Sequence, residues 1–95
     1  MSIYEKAADQ LAHLYNTSFG GKPKGRFRIA SKQVREILGR KRLYSEDTQA
    51  LTRACFEEGL VLIDMDSFFV VLSANTFVNY RRVSGEALSG AQSKV

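Results

Sequence analysis

Ninety-five residues suffice for one small core, since a chain of this size buries roughly 60 to 65% of the surface its unfolded form exposes, and 44% hydrophobic residues with six Phe and four Tyr can fill it. The formal charge of +4 is uneven: residues 22 to 42 hold nine of the fourteen Lys and Arg against one acid, Glu36, and contribute +8, while the rest contributes −4. One Cys excludes an internal disulfide, one His with one Cys falls short of the three or four ligands of a metal site, and the longest apolar run, residues 68 to 72, is far below the about 20 residues that cross a bilayer.

At the N-terminus no stretch has the charged-then-apolar layout of a signal peptide, so the expected compartment is the cytoplasm. Ser2 stands three residues before Glu5, the capping-box spacing, and predicts a helix from Ile3. Ile3, Ala7, Leu11, Leu14 and Tyr15 follow steps of three and four and form one buried stripe, which Gly20 and Gly21 end. Past Pro23, the alternation Arg26, Phe27, Arg28, Ile29 predicts a very short strand with cations on one face and apolar groups on the other.

Ser31 is the expected N-cap of a second helix, with Val34, Ile37 and Leu38 on one face and Gly39 as its stop. Ser45 is the expected cap of a third, with Glu46 and Asp47 near the positive end of its dipole, Leu51, Ala54 and Cys55 inside, and Gly59 at C′. Four to six residues between these two helices suit a tight helix-turn-helix. LVLIDMDSFFVVLSA, from Leu60, reads as a two-stranded hairpin turning through Asp64, Met65, Asp66 and Ser67. NTFVNYRRVSG reads as a helix capped by Ser73 or Asn75, with Phe77, Tyr80 and Ser84 on one face and Gly85 at its end, or else as a continuing strand, the helix being preferred. Residues 85–95, small and polar, read as a flexible, disordered tail.

Helix, short strand, helix, turn, helix and hairpin is the element order of the winged helix-turn-helix fold, which residues 3 to 73 resemble in topology and element length. The expected fold class is therefore α+β, a winged helix-turn-helix over residues 1–84 with a C-terminal helix. The resemblance implies that the short strand joins the hairpin and that the helix at 46 to 58 enters the major groove. By position, base contacts fall to Gln49, Thr52 and Arg53, with Glu57 on the same outer face; Arg pairs with guanine and Gln with adenine. Phosphate contacts fall to Lys22, Lys24, Arg26, Arg28, Lys32, Arg35, Arg40, Lys41 and Arg42. Two features depart from the pattern: an acidic hairpin tip at Asp64 and Asp66, and Glu46 with Asp47 at the end of the helix that approaches DNA.

A cationic run is often only a solvated face, but its confinement to residues 22 to 42 favours a polyanionic partner. His13 has no second ligand, Cys55 sits on an apolar stripe as a core thiol, and Asp64 and Asp66 are turn formers before they are an acid/base pair. Phe68, Phe69, Phe77 and Tyr80 are core packers before they are stacking platforms. No phosphate-cradling glycine pattern occurs, so neither enzyme activity nor a cofactor is expected. The expected function is sequence-specific duplex DNA binding by a small transcriptional regulator, as a homodimer joined through the first helix and Phe77 and Tyr80. The rival is a winged helix that docks an acidic protein partner, as an assembly component; an RNA-binding accessory protein comes third.

Overall fold

Ser2 and Glu5 satisfy each other's orphan N–H groups. In the structure, a computed structural model that describes residues 2–93, the Ser2 hydroxyl accepts from the Glu5 N–H at 3.1 Å, and the Glu5 carboxylate accepts from the Ser2 N–H at 3.0 Å. Helix α1 follows over Ile3–Tyr15 and buries Ala7, Ala8 and Leu11. The alternating segment is strand β1, Phe27–Ala30, with Ile29 buried and both Arg26 and Arg28 exposed.

Helix α2 spans Ser31–Leu38 and helix α3 spans Ser45–Glu57. Neither serine is its cap: the caps are Ala30 and Tyr44, one residue earlier. Each helix instead reaches back from its third residue, Gln33 Oε1 accepting from the Ala30 N–H at 3.3 Å and Asp47 Oδ2 from the Tyr44 N–H at 3.0 Å. Ser31 is thereby free for another contact, and its hydroxyl donates to the Asp66 carbonyl at 2.7 Å. Two of the three glycine stops hold, whereas α1 ends earlier, at an Asn16 cap, before Gly20 and Gly21. Gly39 ends α2 at φ 67° and Gly59 follows α3 at φ 80°, left-handed conformations that glycine adopts without the steric cost of a Cβ.

Strands β2, Leu60–Asp64, and β3, Phe68–Ser73, form the hairpin, and β1 pairs antiparallel with β3, so β3 is the central strand. Ile29 stands opposite Phe69 and Asp64 opposite Phe69 on the other side. The core is one cluster in which Leu11, Val34, Leu51, Cys55, Phe69 and Val71 are almost completely buried. The chain is thus α+β, with four α-helices and a three-stranded antiparallel sheet among the described residues. None of those helices is long and apolar enough to cross a membrane.

After β3 the chain departs from expectation. Ser73 caps only a 3-10 turn, Ala74–Phe77, and residues 78–84 are irregular. Asn, Thr, Val and Tyr are indifferent helix formers, and Val78 and Tyr80 meet no core that would reward a helical stripe, being 73% and 65% exposed. Ser84, expected inside that helix, is the N-cap of a further one, its hydroxyl accepting from the Ala87 N–H at 3.1 Å. Helix α4, Gly85–Gln92, occupies the segment expected to be disordered, and it buries no side chain. That expectation extended to Lys94 and Val95, which lie outside the described residues. The Cα radius of gyration, 16.3 Å, exceeds the about 12 Å of a compact chain this long, in keeping with an exposed C-terminal arm.

Candidate functional site

Two short elements, one loop and one turn place the nine cations of residues 22 to 42 on the surface. Lys22 and Lys24 lie in the loop before β1, Arg26 precedes it, Arg28 lies on it, Lys32 and Arg35 lie on α2, and Arg40, Lys41 and Arg42 occupy the turn into α3. Arg35 is half-buried and the others are exposed. Among the described residues only Arg40 has an acidic partner, Asp47, at 3.6 Å. Arg28 covers the Phe68 ring at 5.5 Å from its centroid, which holds the guanidinium in place without neutralising it. The charge is therefore available to an outside anion.

Six of the nine cations line two clefts. Lys22, Lys24 and Arg26 line one of about 450 Å³ with Tyr15 and Thr76. Arg35, Lys41 and Arg42 line another of about 370 Å³, faced by Asp64 and Asp66 of the hairpin turn. That turn is pinned against α2 and does not project as a free wing. The Ser31 hydroxyl donates to the Asp66 carbonyl, the Ser31 N–H donates to the Ser67 carbonyl at 3.0 Å, and Asp64 Oδ1 accepts from the Asp66 N–H at 2.8 Å.

A third surface depression, about 650 Å³, runs along the outer face of α3 and is lined by Gln49, Thr52, Arg53 and Phe56, with Leu60 and Val61 at its end. Thr48 lines both this groove and the Arg35–Lys41–Arg42 cleft, so the turn cations adjoin the outer face of α3. Gln49 and Arg53 are exposed, whereas Thr52 is half-buried and its hydroxyl donates to the Thr48 carbonyl at 2.7 Å. Glu57 lies at the edge of the same groove. Phe56, 65% exposed, is a member the sequence reading passed over. Its signal was available, because Phe56 falls four residues after Thr52 and off the Leu51–Ala54–Cys55 stripe.

Asp47, paired in the sequence with Glu46 as a surface dipole residue, is turned inward. It is 5% exposed and accepts from the Tyr44 N–H and, at 2.7 Å, from the Tyr4 hydroxyl. Those two hydrogen bonds, the backbone one first, hold its carboxyl below the usual carboxylate range against the opposing effect of desolvation, with a smaller contribution from Arg40. A depressed folded-state value stabilises the fold above the unfolded value, near 3.8, and that contribution is lost as pH falls through the folded value. Asp47→Asn is therefore expected to melt below the wild type at pH 7, with the gap closing in acid. A constant gap from pH 7 to pH 2 in thermal melts would show that Asp47 is not held as a carboxylate.

Cys55 is fully buried, and burial, with Glu58 nearby, pushes its thiol up to about 12, so the thiolate that reacts is not formed near neutrality. His13 is exposed near the end of α1. No group of three metal-ligating side chains comes together among the described residues. Phe77 and Tyr80 meet edge to face at 5.1 Å, the first half-buried and the second exposed. No protein-family model, curated protein or solved structure matches the chain.

Proposed function

We propose that the chain is a winged-helix protein that binds duplex DNA, with α3 as the reading helix. The observation that carries this reading is the juxtaposition at Thr48: unpaired cations of the α2–α3 turn border a helix face that presents Gln49 and Arg53 to solvent. Arg35, Lys41 and Arg42 would hold phosphates, and the cluster of Lys22, Lys24 and Arg26 a second backbone position. Arg53 can donate two hydrogen bonds to guanine, Gln49 can pair bidentately with adenine, and Thr52, its hydroxyl engaged internally, has a methyl for thymine.

The inward turn of Asp47 supports the same reading, since it removes one of the two acids from the end of α3 that would approach DNA and leaves only Glu46 there. The hairpin turn is fastened to α2 and does not project as a wing; its Asp64 and Asp66 share the cleft with Arg35, Lys41 and Arg42 and oppose a phosphate there. One observation favours a protein contact on part of the same helix: Phe56, on the last turn of α3, is 65% exposed and shares the groove with Val61.

Selection from a randomised duplex pool tests the proposal. Gln49→Ala and Arg53→Ala should each lose about 1 to 3 kcal/mol of discrimination at one position of the selected site, whereas Lys41→Gln should weaken every sequence alike. If the two α3 variants weaken all sequences equally, α3 is not the reading helix.

A further inference from the structure

Every residue from 78 to 92 is exposed. Val78, Tyr80, Val83 and Leu88 stand 73%, 65%, 69% and 51% in solvent. Tyr80, Val83 and Leu88 converge with Ala87 and Ala91 on one shallow cleft, which Arg81 and Arg82 also line. An eight-residue helix is well short of the about 12 to 15 residues at which isolated helices become marginally stable in water. Helix α4 thus has an apolar face and two adjacent cations, and among the described residues it buries no side chain.

A surface of matching character exists elsewhere on the same chain. Phe56, 65% exposed, and the half-buried Val61 form the apolar end of the α3 groove, over the buried Leu60. Glu57 lines that groove and also an adjoining cleft shared with Glu5, Asp9 and Glu58, where α1 meets the end of α3. None of these four carboxylates is in an ion pair among the described residues. The neighbouring Asp9 carboxyl, with desolvation, instead raises the Glu58 pKa. Four acids beside an exposed Phe are an incomplete surface.

We propose that residues 78–92 are an exchange arm that lies in the α3–β2 groove of a second copy of this chain. The apolar face of the arm covers Phe56 and Val61, and Arg81 and Arg82 pair with Glu57 and Glu58, in the bidentate geometry that guanidinium and carboxylate favour. Fifteen residues are fewer than the about 20 to 30 that each side of a standard interface supplies. The exchange is therefore reciprocal, two arms in two grooves about a two-fold axis. Phe56 lies three residues beyond Arg53, about 4.5 Å along the helix, in the same groove, so the arm's seat adjoins the base-contact residues and the dimer is tested without DNA. The proposal stands whether or not α3 reads DNA.

Charge exchange tests it. The full chain should sediment, without DNA, as a dimer of its 10.7 kDa mass. Arg81→Glu with Arg82→Glu should be monomeric alone, because the reversed arm meets acids, and Glu57→Arg with Glu58→Arg should be monomeric alone, because the arm meets cations. Mixed in equal amounts they should form a dimer containing both chains, since both arm–groove pairs are then complementary. Leu88→Asp, also at an exposed position, should be monomeric with either partner surface intact, and far-UV circular dichroism confirms that each variant folds. A wild-type monomer from micromolar to millimolar concentration, a dimer from either charge variant alone, or a mixture that stays monomeric would each overturn the proposal.

Discussion

Replacing Arg35, Lys41 and Arg42 together by Gln should weaken binding to any duplex by about two to three orders of magnitude at about 0.1 M salt and flatten the salt dependence by about 3 units of slope. Each cation that neutralises a phosphate contributes about 0.9 to the slope of log K against log salt, which at that salt is roughly tenfold in affinity. All three side chains line one cleft beside α3, and none has an acidic partner within ion-pair distance among the described residues. Their loss should therefore leave stability within about 0.5 kcal/mol of wild type, as for most surface changes. Arg40 makes a poorer test because its guanidinium is engaged with Asp47. An unchanged slope, measured by anisotropy over a salt series, would remove these residues from the backbone contact; so would a loss confined to certain sequences.

Phe69→Ala should remove about 3 to 5 kcal/mol of stability, a large share of the about 5 to 15 kcal/mol that holds a small domain together. Phe69 is 2% exposed at the middle of the sheet, paired with Ile29 on one side and Asp64 on the other. Truncation there loses the transfer free energy of the ring and leaves a cavity that three strands cannot collapse without breaking register. Met65→Ala, on the hairpin turn at 51% exposure, should cost less than about 0.5 kcal/mol. Urea denaturation of both variants distinguishes the cases. Similar midpoints for the two would mean that Phe69 is not a core residue.

What the sequence made legible was local. Ser2 with Glu5, the alternation through Ile29, and the stops at Gly39 and Gly59 each depend on neighbours a few residues away, and each is found in the structure. The caps of α2 and α3 were displaced by one residue because Gln33 and Asp47 reach back to the preceding N–H groups, a contact that serine composition does not announce. Residues 75–84 carried a helical spacing of Phe77 and Tyr80 with no core to bury it, and periodicity alone does not distinguish a stripe that packs from one that does not.

The candidate site was legible as a list and not as an arrangement. The nine cations and the Gln49–Arg53 face follow from sequence, but their meeting at Thr48 is tertiary. The inward turn of Asp47 depends on Tyr4, 43 residues away. The acidic cleft depends on α1 and α3 meeting, which places Glu5 and Asp9 beside Glu57 and Glu58.

Fluorescence anisotropy of the full chain with a random duplex, a single strand of the same length and an RNA hairpin, each over a salt series, is the most direct test of DNA binding. Duplex binding through about five phosphate contacts gives a slope of about −4 to −5 in log K against log salt, with the duplex bound more tightly than either competitor. No duplex binding at the lowest salt, or an RNA hairpin that outcompetes the duplex, would contradict it.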